Sequence, residues 1–153
     1  MKVNIVSYRP EWGHYFESIN REWIEAFFSM EPVDEQVLKN HQEKILDRGG
    51  YIFFAQNEKG EIVGTVALKP DETGEMELTK MGVIPAYRGY GIGKLLVKYC
   101  IDFAQEKGWK RLFLDSSRRL ENAIDIYRKF GFKEIPVPAS EYSRCDIRME
   151  INF

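Results

Sequence analysis

Between a strand-like run and a helix-like run near the middle of the chain stands Arg88-Gly89-Tyr90-Gly91-Ile92-Gly93, and no other segment constrains its surroundings as tightly. The preceding run, Glu77-Leu78-Thr79-Lys80-Met81-Gly82-Val83-Ile84, stops at Pro85. The following run begins Lys94-Leu95-Leu96-Val97-Lys98-Tyr99. A glycine-rich turn between a strand and a helix start leaves several backbone N–H groups unpaired and pointing outward. With the positive end of the helix dipole they form an anion site suited to phosphate. Glycines also remove the Cβ atoms that would hold a ligand away from the backbone. The plainer alternative is a tight turn with a helix cap.

Strands and helices alternate on either side of this turn, without repeats or low-complexity linkers. Val3 to Tyr8 alternates apolar and polar residues, which predicts a first strand. Tyr15, Ile19, Trp23 and Phe27 recur at helical spacing and predict a helix from Glu11 to about Met30. A second helix is expected from Pro32-Val33-Asp34-Glu35, where proline and acids suit a first turn, to Gly49-Gly50. Tyr51–Gln56 and Ile62–Leu68 read as a hairpin across Asn57-Glu58-Lys59-Gly60. A third strand, from about Glu75 to Ile84, follows the turn at Asp71-Glu72-Thr73-Gly74.

The second half is βα in character. Ile92, Leu96, Tyr99 and Phe103 mark the core face of a helix ending at Gly108. Arg111–Asp115 reads as a buried strand, Asn122–Phe130 as a short helix stopped by Gly131, and Cys145–Phe153 as a last strand with one face buried. An antiparallel meander therefore passes into a βαβ unit through the glycine turn, giving a mixed α/β domain with flanking helices. At 153 residues, one domain over residues 1–153 with a single sizeable core is expected.

Charge and cysteine usage exclude several classes. A formal net charge of -2 argues against a general nucleic-acid binder, whose affinity comes mostly from neutralising phosphates. Basic clusters such as Lys107, Lys110 and Arg111, or Arg118-Arg119, still suit a phosphorylated ligand. No N-terminal apolar run resembles a signal peptide and no stretch is long enough for a bilayer, so no membrane partner and a cytoplasmic location are the default expectations. Cys100 and Cys145 make no disulfide framework, and Cys100 reads as helix-core packing. His14 and His41 have no partners at metal-ligand spacing, so no metal is expected.

Three kinds of phosphate loop compete for the turn. A Walker A loop needs glycine where Arg88 stands and Ser or Thr where Leu95 stands, so that reading fails. A dinucleotide fingerprint needs Gly-x-Gly-x-x-Gly, but Lys94 occupies the third glycine site; Asp115, near a ribose-binding position, keeps it weakly open. The third pattern fits. Arg88-x-x-Gly91-x-Gly93 after Val83-Ile84-Pro85 closely resembles the acetyl-CoA pyrophosphate loop of the GCN5-related N-acetyltransferase (GNAT) family. Asn122-Ala123, then Tyr127, leading into Lys129-Phe130-Gly131-Phe132, looks like the second cofactor motif of that family. The tail Tyr142–Glu150 also resembles a bacterial branch whose substrates are mostly unassigned.

The resemblance implies a mostly antiparallel central sheet with a splayed central strand pair, and acetyl-CoA as co-substrate. Met81, Gly82 and Val83 would pair with the pantetheine amides like an added strand. Arg88, Gly89, Tyr90, Gly91, Ile92, Gly93 and Lys94 would present backbone N–H groups to the pyrophosphate, and Asn122 would hydrogen-bond the pantetheine arm. Tyr127 would donate a proton to the departing thiolate, being protonated at neutral pH as a phenol. Glu77 is the first choice for the base that takes the amine proton, with Glu75 second and water a further option. A backbone N–H around Val83 would meet the developing oxyanion.

The acceptor is left to Trp23, Phe27, Phe28, Glu31 and Asp34, with Tyr142 and Arg144 from the tail; acids beside aromatics suit a cationic amine. A small-molecule amine is favoured, a peptide amine stays open, and so does a homodimer. The competing class is a catalytically silent acyl-CoA-binding sensor or a partner-binding module.

Overall fold

The computed structural model describes residues 2–138 and 143–153, and its centre is a seven-stranded sheet. β1 (Val3–Ser7), β2 (Tyr51–Asn57), β3 (Ile62–Pro70) and β4 (Met76–Val83) pair antiparallel in that order. Both hairpins are shaped by a side chain that replaces a backbone acceptor. Asn57 Oδ1 accepts the N–H groups of Lys59 (3.0 Å) and Glu61 (2.9 Å), and Asp71 Oδ1 those of Thr73 (2.8 Å) and Glu75 (3.0 Å). β5 (Arg111–Ser116) joins β4 in parallel, and β7 (Ile147–Asn152) lies antiparallel between β5 and β6 (Lys133–Ile135). The mixed, mostly antiparallel sheet with flanking helices is the one expected.

Each face of the sheet carries its own apolar cluster. On one face α1 (Gly13–Phe27) and α2 (Pro32–Lys39) set Phe16, Ile19, Ile24, Val37 and Leu38 against Ile52, Phe54 and Ala67. On the other, α4 (Ile92–Glu106) and α5 (Glu121–Lys129) set Leu96, Val97, Cys100 and Ile124 against Phe53, Ala55, Val66, Leu78 and Leu114. Successive β2 residues thus serve opposite clusters, which explains why Ile52 to Ala55 is an unbroken apolar run.

The structure departs from expectation in two elements. The second helix does not continue to Gly49 but stops at Asn40 and is followed by the short α3 (His41–Lys44). Asn40 leaves helical geometry at φ −113°, ψ 38°, where His41 is fixed from both ring nitrogens. Its Nδ1–H donates to Leu38 O (2.9 Å) and its Nε2 accepts from the Tyr8 hydroxyl (3.0 Å), so His41 ties α3 to the end of β1. β6, at three residues, is too short to leave an alternation signal.

A bulge in β4 sets the geometry of the whole centre. Thr65 faces Gly82 and Ala67 faces Thr79, so Lys80 and Met81 share the place opposite Val66. Lys80 takes φ 54°, the one left-handed backbone among the described non-glycine residues. The extra residue reverses the alternation. Met76 and Leu78 before it, and Met81 and Val83 after it, pack with the α4 cluster. Gly82 turns instead to α1, so closely that an added Cβ would lie 2.8 Å from Trp23 Cδ1.

Lys80 turns the same way and enters a buried ionic network. Its Nζ donates to Asp34 Oδ1 (2.9 Å) on α2, a side chain with no exposed surface. Arg144, from the segment before β7, donates to both Asp34 oxygens (2.7 and 2.8 Å) and to Glu31 Oε2 (3.0 Å). Burial alone would raise the Asp34 carboxyl; Arg144, the Lys80 charge and the Glu31 amide outweigh it and bring it down to about 2. A carboxyl lowered in this way stabilises the fold above about pH 4, and the gain is lost as pH falls through about 2.

Asp34→Ala is therefore expected to cost about 3–5 kcal/mol in urea unfolding at neutral pH, because Lys80, which is buried, and Arg144 both lose the carboxylate they contact. The double variant Asp34→Ala/Lys80→Met should recover part of that loss. A cost below about 1 kcal/mol for the single variant would show that the network does not hold the bulge.

Candidate functional site

The two central strands separate soon after they meet. Among the described residues β4 and β5 pair only at Met76–Leu112 and Glu77–Phe113, and β4 from Leu78 onward has β3 as its one strand partner. A cavity of about 660 Å³ opens in the gap, within the roughly 300–1,000 Å³ of small-molecule sites. The separated edge of β4 gives it one wall, and the loop at Arg88 and the first turns of α4 and α5 give others.

The glycine turn is built for its place. Gly89 and Gly91 take φ 86° and 80°, a left-handed backbone that a side chain would strain. Gly93 has a different reason: a Cβ there would press on Ile126 Cδ1 of α5 at 3.3 Å. The α4 ladder begins with Leu95 donating to Gly91 O (3.2 Å), and no side chain caps the helix. The N–H groups of Ile92, Gly93 and Lys94 thus precede the ladder at the positive end of the dipole, beside the cavity. Exposed backbone on β4 and an uncapped helix start fit an amide-rich arm ending in a pyrophosphate.

Nearly all of the residues singled out from sequence line this cavity: Glu77, Met81, Gly82, Val83, Arg88, Gly89, Gly91, Ile92, Gly93, Lys94, Asn122 and Tyr127. Tyr90 does not; its ring is 64 % exposed, outside the wall. Arg88 is turned back, donating from Nε to Val83 O (3.0 Å) and pairing with Glu22 of α1. Asn122 sits inside the first turn of α5, where Leu120 rather than Asn122 takes the N-cap position.

Among the titratable groups on the wall, Glu77 and Tyr127 come from different elements and are both shifted upward by burial. Glu77, on β4 just where pairing with β5 ends, has no side-chain hydrogen bond among the described residues. Burial pushes its carboxyl up to about 7; Lys69, Lys80 and Arg148 oppose that and the Asp115 charge adds to it. Glu75 lies outside the cavity wall and pairs with Arg111 at 3.6 Å. Tyr127 of α5 is 6 % exposed, with its ring edge-on to Phe132 at 5.7 Å. Burial and then the neighbouring Cys100 raise its hydroxyl well above the ordinary phenol, so it is protonated at neutral pH. That hydroxyl has no hydrogen-bond partner among the described residues and is not sealed from the cavity.

At the far end Trp23, Phe27 and Phe28 line the cavity as expected, but Glu31 and Asp34 do not. Both acids are taken up by Arg144, and Asp34 also by Lys80, so neither faces an acceptor. Tyr142 lies outside the described residues. Asp115 is held bidentate by Arg148 (2.6 and 2.8 Å) rather than offered to a ribose, which removes the support for a dinucleotide. Sequence reasoning gave Lys80 no role and offered Arg119, with Arg118, only to a phosphorylated ligand, yet both Lys80 and Arg119 line the wall. Lys80 stands in an ordinary alternating run, and its partner Asp34 is far away in the chain, so no local pattern signals the pair.

Comparison with known proteins shows the family and the fold. The profile of the Acetyltransferase (GNAT) family matches residues 14–132. An uncharacterised N-acetyltransferase of Escherichia coli K12, YjgM, is 31% identical over 111 residues, covering 69% of this chain and 66% of that protein. A second uncharacterised N-acetyltransferase, C1271.07c of Schizosaccharomyces pombe, is 30% identical over 142 residues and 86% of each chain. A GNAT acetyltransferase from Staphylococcus aureus Mu50 superposes with a TM-score of 0.86 at 23% identity, over 99% of both chains. Spermidine N-acetyltransferase of Vibrio cholerae, solved with CoA and spermine, gives 0.74 at 16% identity over 98% and 95%. The chain belongs to the GNAT acetyltransferase family.

Proposed function

We propose that the protein moves an acetyl group from acetyl-CoA to the primary amine of a small molecule, by direct attack within a ternary complex. The observation that carries this reading is the convergence of Glu77 and Tyr127 on the cavity where β4 leaves β5. The fold shared with the Vibrio cholerae enzyme that holds CoA and spermine supports a CoA-plus-amine site.

The chemistry follows from where these groups stand. The β4 edge from Met81 to Val83 receives the pantetheine amides, and the N–H groups at the start of α4 receive the pyrophosphate. An amine attacks only when neutral, and Glu77, with its carboxyl near 7, accepts the proton at little energetic cost. The amine nitrogen forms a bond to the thioester carbonyl carbon, and the oxyanion is met by a backbone N–H near Val83. The carbon–sulfur bond then breaks, and Tyr127 supplies the proton that converts the CoA thiolate to the thiol.

Tyr127→Phe is expected to lower kcat by about 10²-fold with acetyl-CoA affinity by calorimetry little changed. Unchanged kcat, with a chemical step shown to be rate-limiting, would remove the acid role. For the base, kcat/KM should rise with pH through about 7, because the carboxylate form is the active one. Glu77→Gln should abolish that limb and lower the plateau by about 10²-fold. An identical limb in the variant would assign it to the amine itself. A sensor would bind CoA and release no thiol with any amine.

A further inference from the structure

Charge at the acceptor end is distributed in a way the aromatic wall alone does not reveal. Three cations stand there, Lys80, Arg119 and Arg144. Lys80 is neutralised by Asp34, and Arg144 by Asp34 and Glu31. The carboxylate of Asp115 is likewise matched by Arg148. Arg119 is different. No carboxylate among the described residues lies within ion-pair distance of it, and it lines the cavity from the segment joining β5 to α5.

Its placement is defined. The Arg119 backbone N–H donates to Ser117 Oγ (3.2 Å), and its guanidinium carbon lies 4.9 Å from the centre of the Phe28 ring. A second guanidinium, that of Arg144, lies 5.6 Å from the same ring. Trp23 meets Phe28 edge-on at 6.4 Å and rests against Gly82, so this wall is continuous with the separated edge of β4. Two guanidinium groups share one ring because Arg144 is already neutralised; Arg119 keeps its charge. A guanidinium stacked on a ring turns its N–H edge outward, in the fork that matches a carboxylate.

We propose that the acceptor amine carries a carboxylate, as an amino acid does, and that Arg119 beside Phe28 is the residue that selects for it. This rests on the acetyl-transfer reading above. The acceptor directs its amine to Glu77 and its carboxylate to Arg119, a zwitterionic fit that a polyamine does not satisfy. The acids that sequence assigned to a cationic acceptor are turned away from the cavity, and the cation beside Phe28 with no ion pair among the described residues is Arg119.

The test measures thiol release by the full chain with acetyl-CoA, using common L-amino acids, their α-carboxamides and straight-chain diamines. The best amino acid should exceed its carboxamide by about tenfold in kcat/KM, chiefly through KM, as for a hydrogen bond to a charged group. Arg119→Ala should bring the ratio near one and Arg119→Lys should restore part of it. Arg119 is exposed, so neither change threatens the fold. A diamine or carboxamide preferred by the wild type, or a ratio unaffected by Arg119→Ala, overturns the proposal. A second arm needs no turnover: calorimetry of N-acetyl amino acids and their amides on the CoA-loaded protein. Carboxylate-dependent binding that disappears in Arg119→Ala supports the proposal even if no amine is acetylated, a result that would sink acetyl transfer alone. Equal binding of acid and amide overturns it.

Discussion

The cavity at the centre of the molecule depends on the loss of pairing between β4 and β5. Two neighbouring strands with apolar faces would ordinarily zip along their whole length, since buried N–H and C=O groups left unmatched are costly. Here the ladder ends after Glu77–Phe113 because β4 carries an extra residue at Lys80, and a bulged strand bends and twists away from its neighbour. The edge exposed by that separation offers backbone donors and acceptors to a cavity instead of to a strand. An extended amide-bearing ligand is the complement that restores the missing ladder.

The bulge is in turn held from outside the sheet. Lys80 is carried to the α1–α2 side by its left-handed backbone, where Asp34 meets it, and Arg144 closes the network from the segment before β7. One carboxylate therefore links the helix pair, the central strand and the C-terminal region around the acceptor end. The arrangement also settles the electrostatics there. With Asp34 and Glu31 consumed internally, Glu77 on β4 and Arg119 beside Phe28 are left on the cavity wall without an ion pair among the described residues.

What was legible in the sequence was local. The glycine turn, the helix after it and the antiparallel meander announce themselves through spacing over a few residues, and the cofactor-side candidates converge on one cavity apart from Tyr90. Glu77 was separable from Glu75 only in three dimensions, because the two stand two residues apart around the start of β4 and only Glu77 lies on the cavity wall. The acceptor end was read less well for a physical reason. Glu31 and Asp34, read from sequence as acids for a cationic acceptor, are claimed instead by cations from β4 and from the tail. Long-range ion pairs leave no periodicity. The break at Asn40 likewise depends on His41 meeting Tyr8, a contact between distant segments.

The central claim, that the separated edge of β4 and the uncapped start of α4 together hold the CoA moiety, is most directly tested by amide hydrogen exchange with and without CoA. The expected result is slower exchange confined to residues 78–83 and 89–94, with the α1–α2 face unchanged. Protection spread evenly over the sheet, or absent from both segments while CoA is bound, would contradict it.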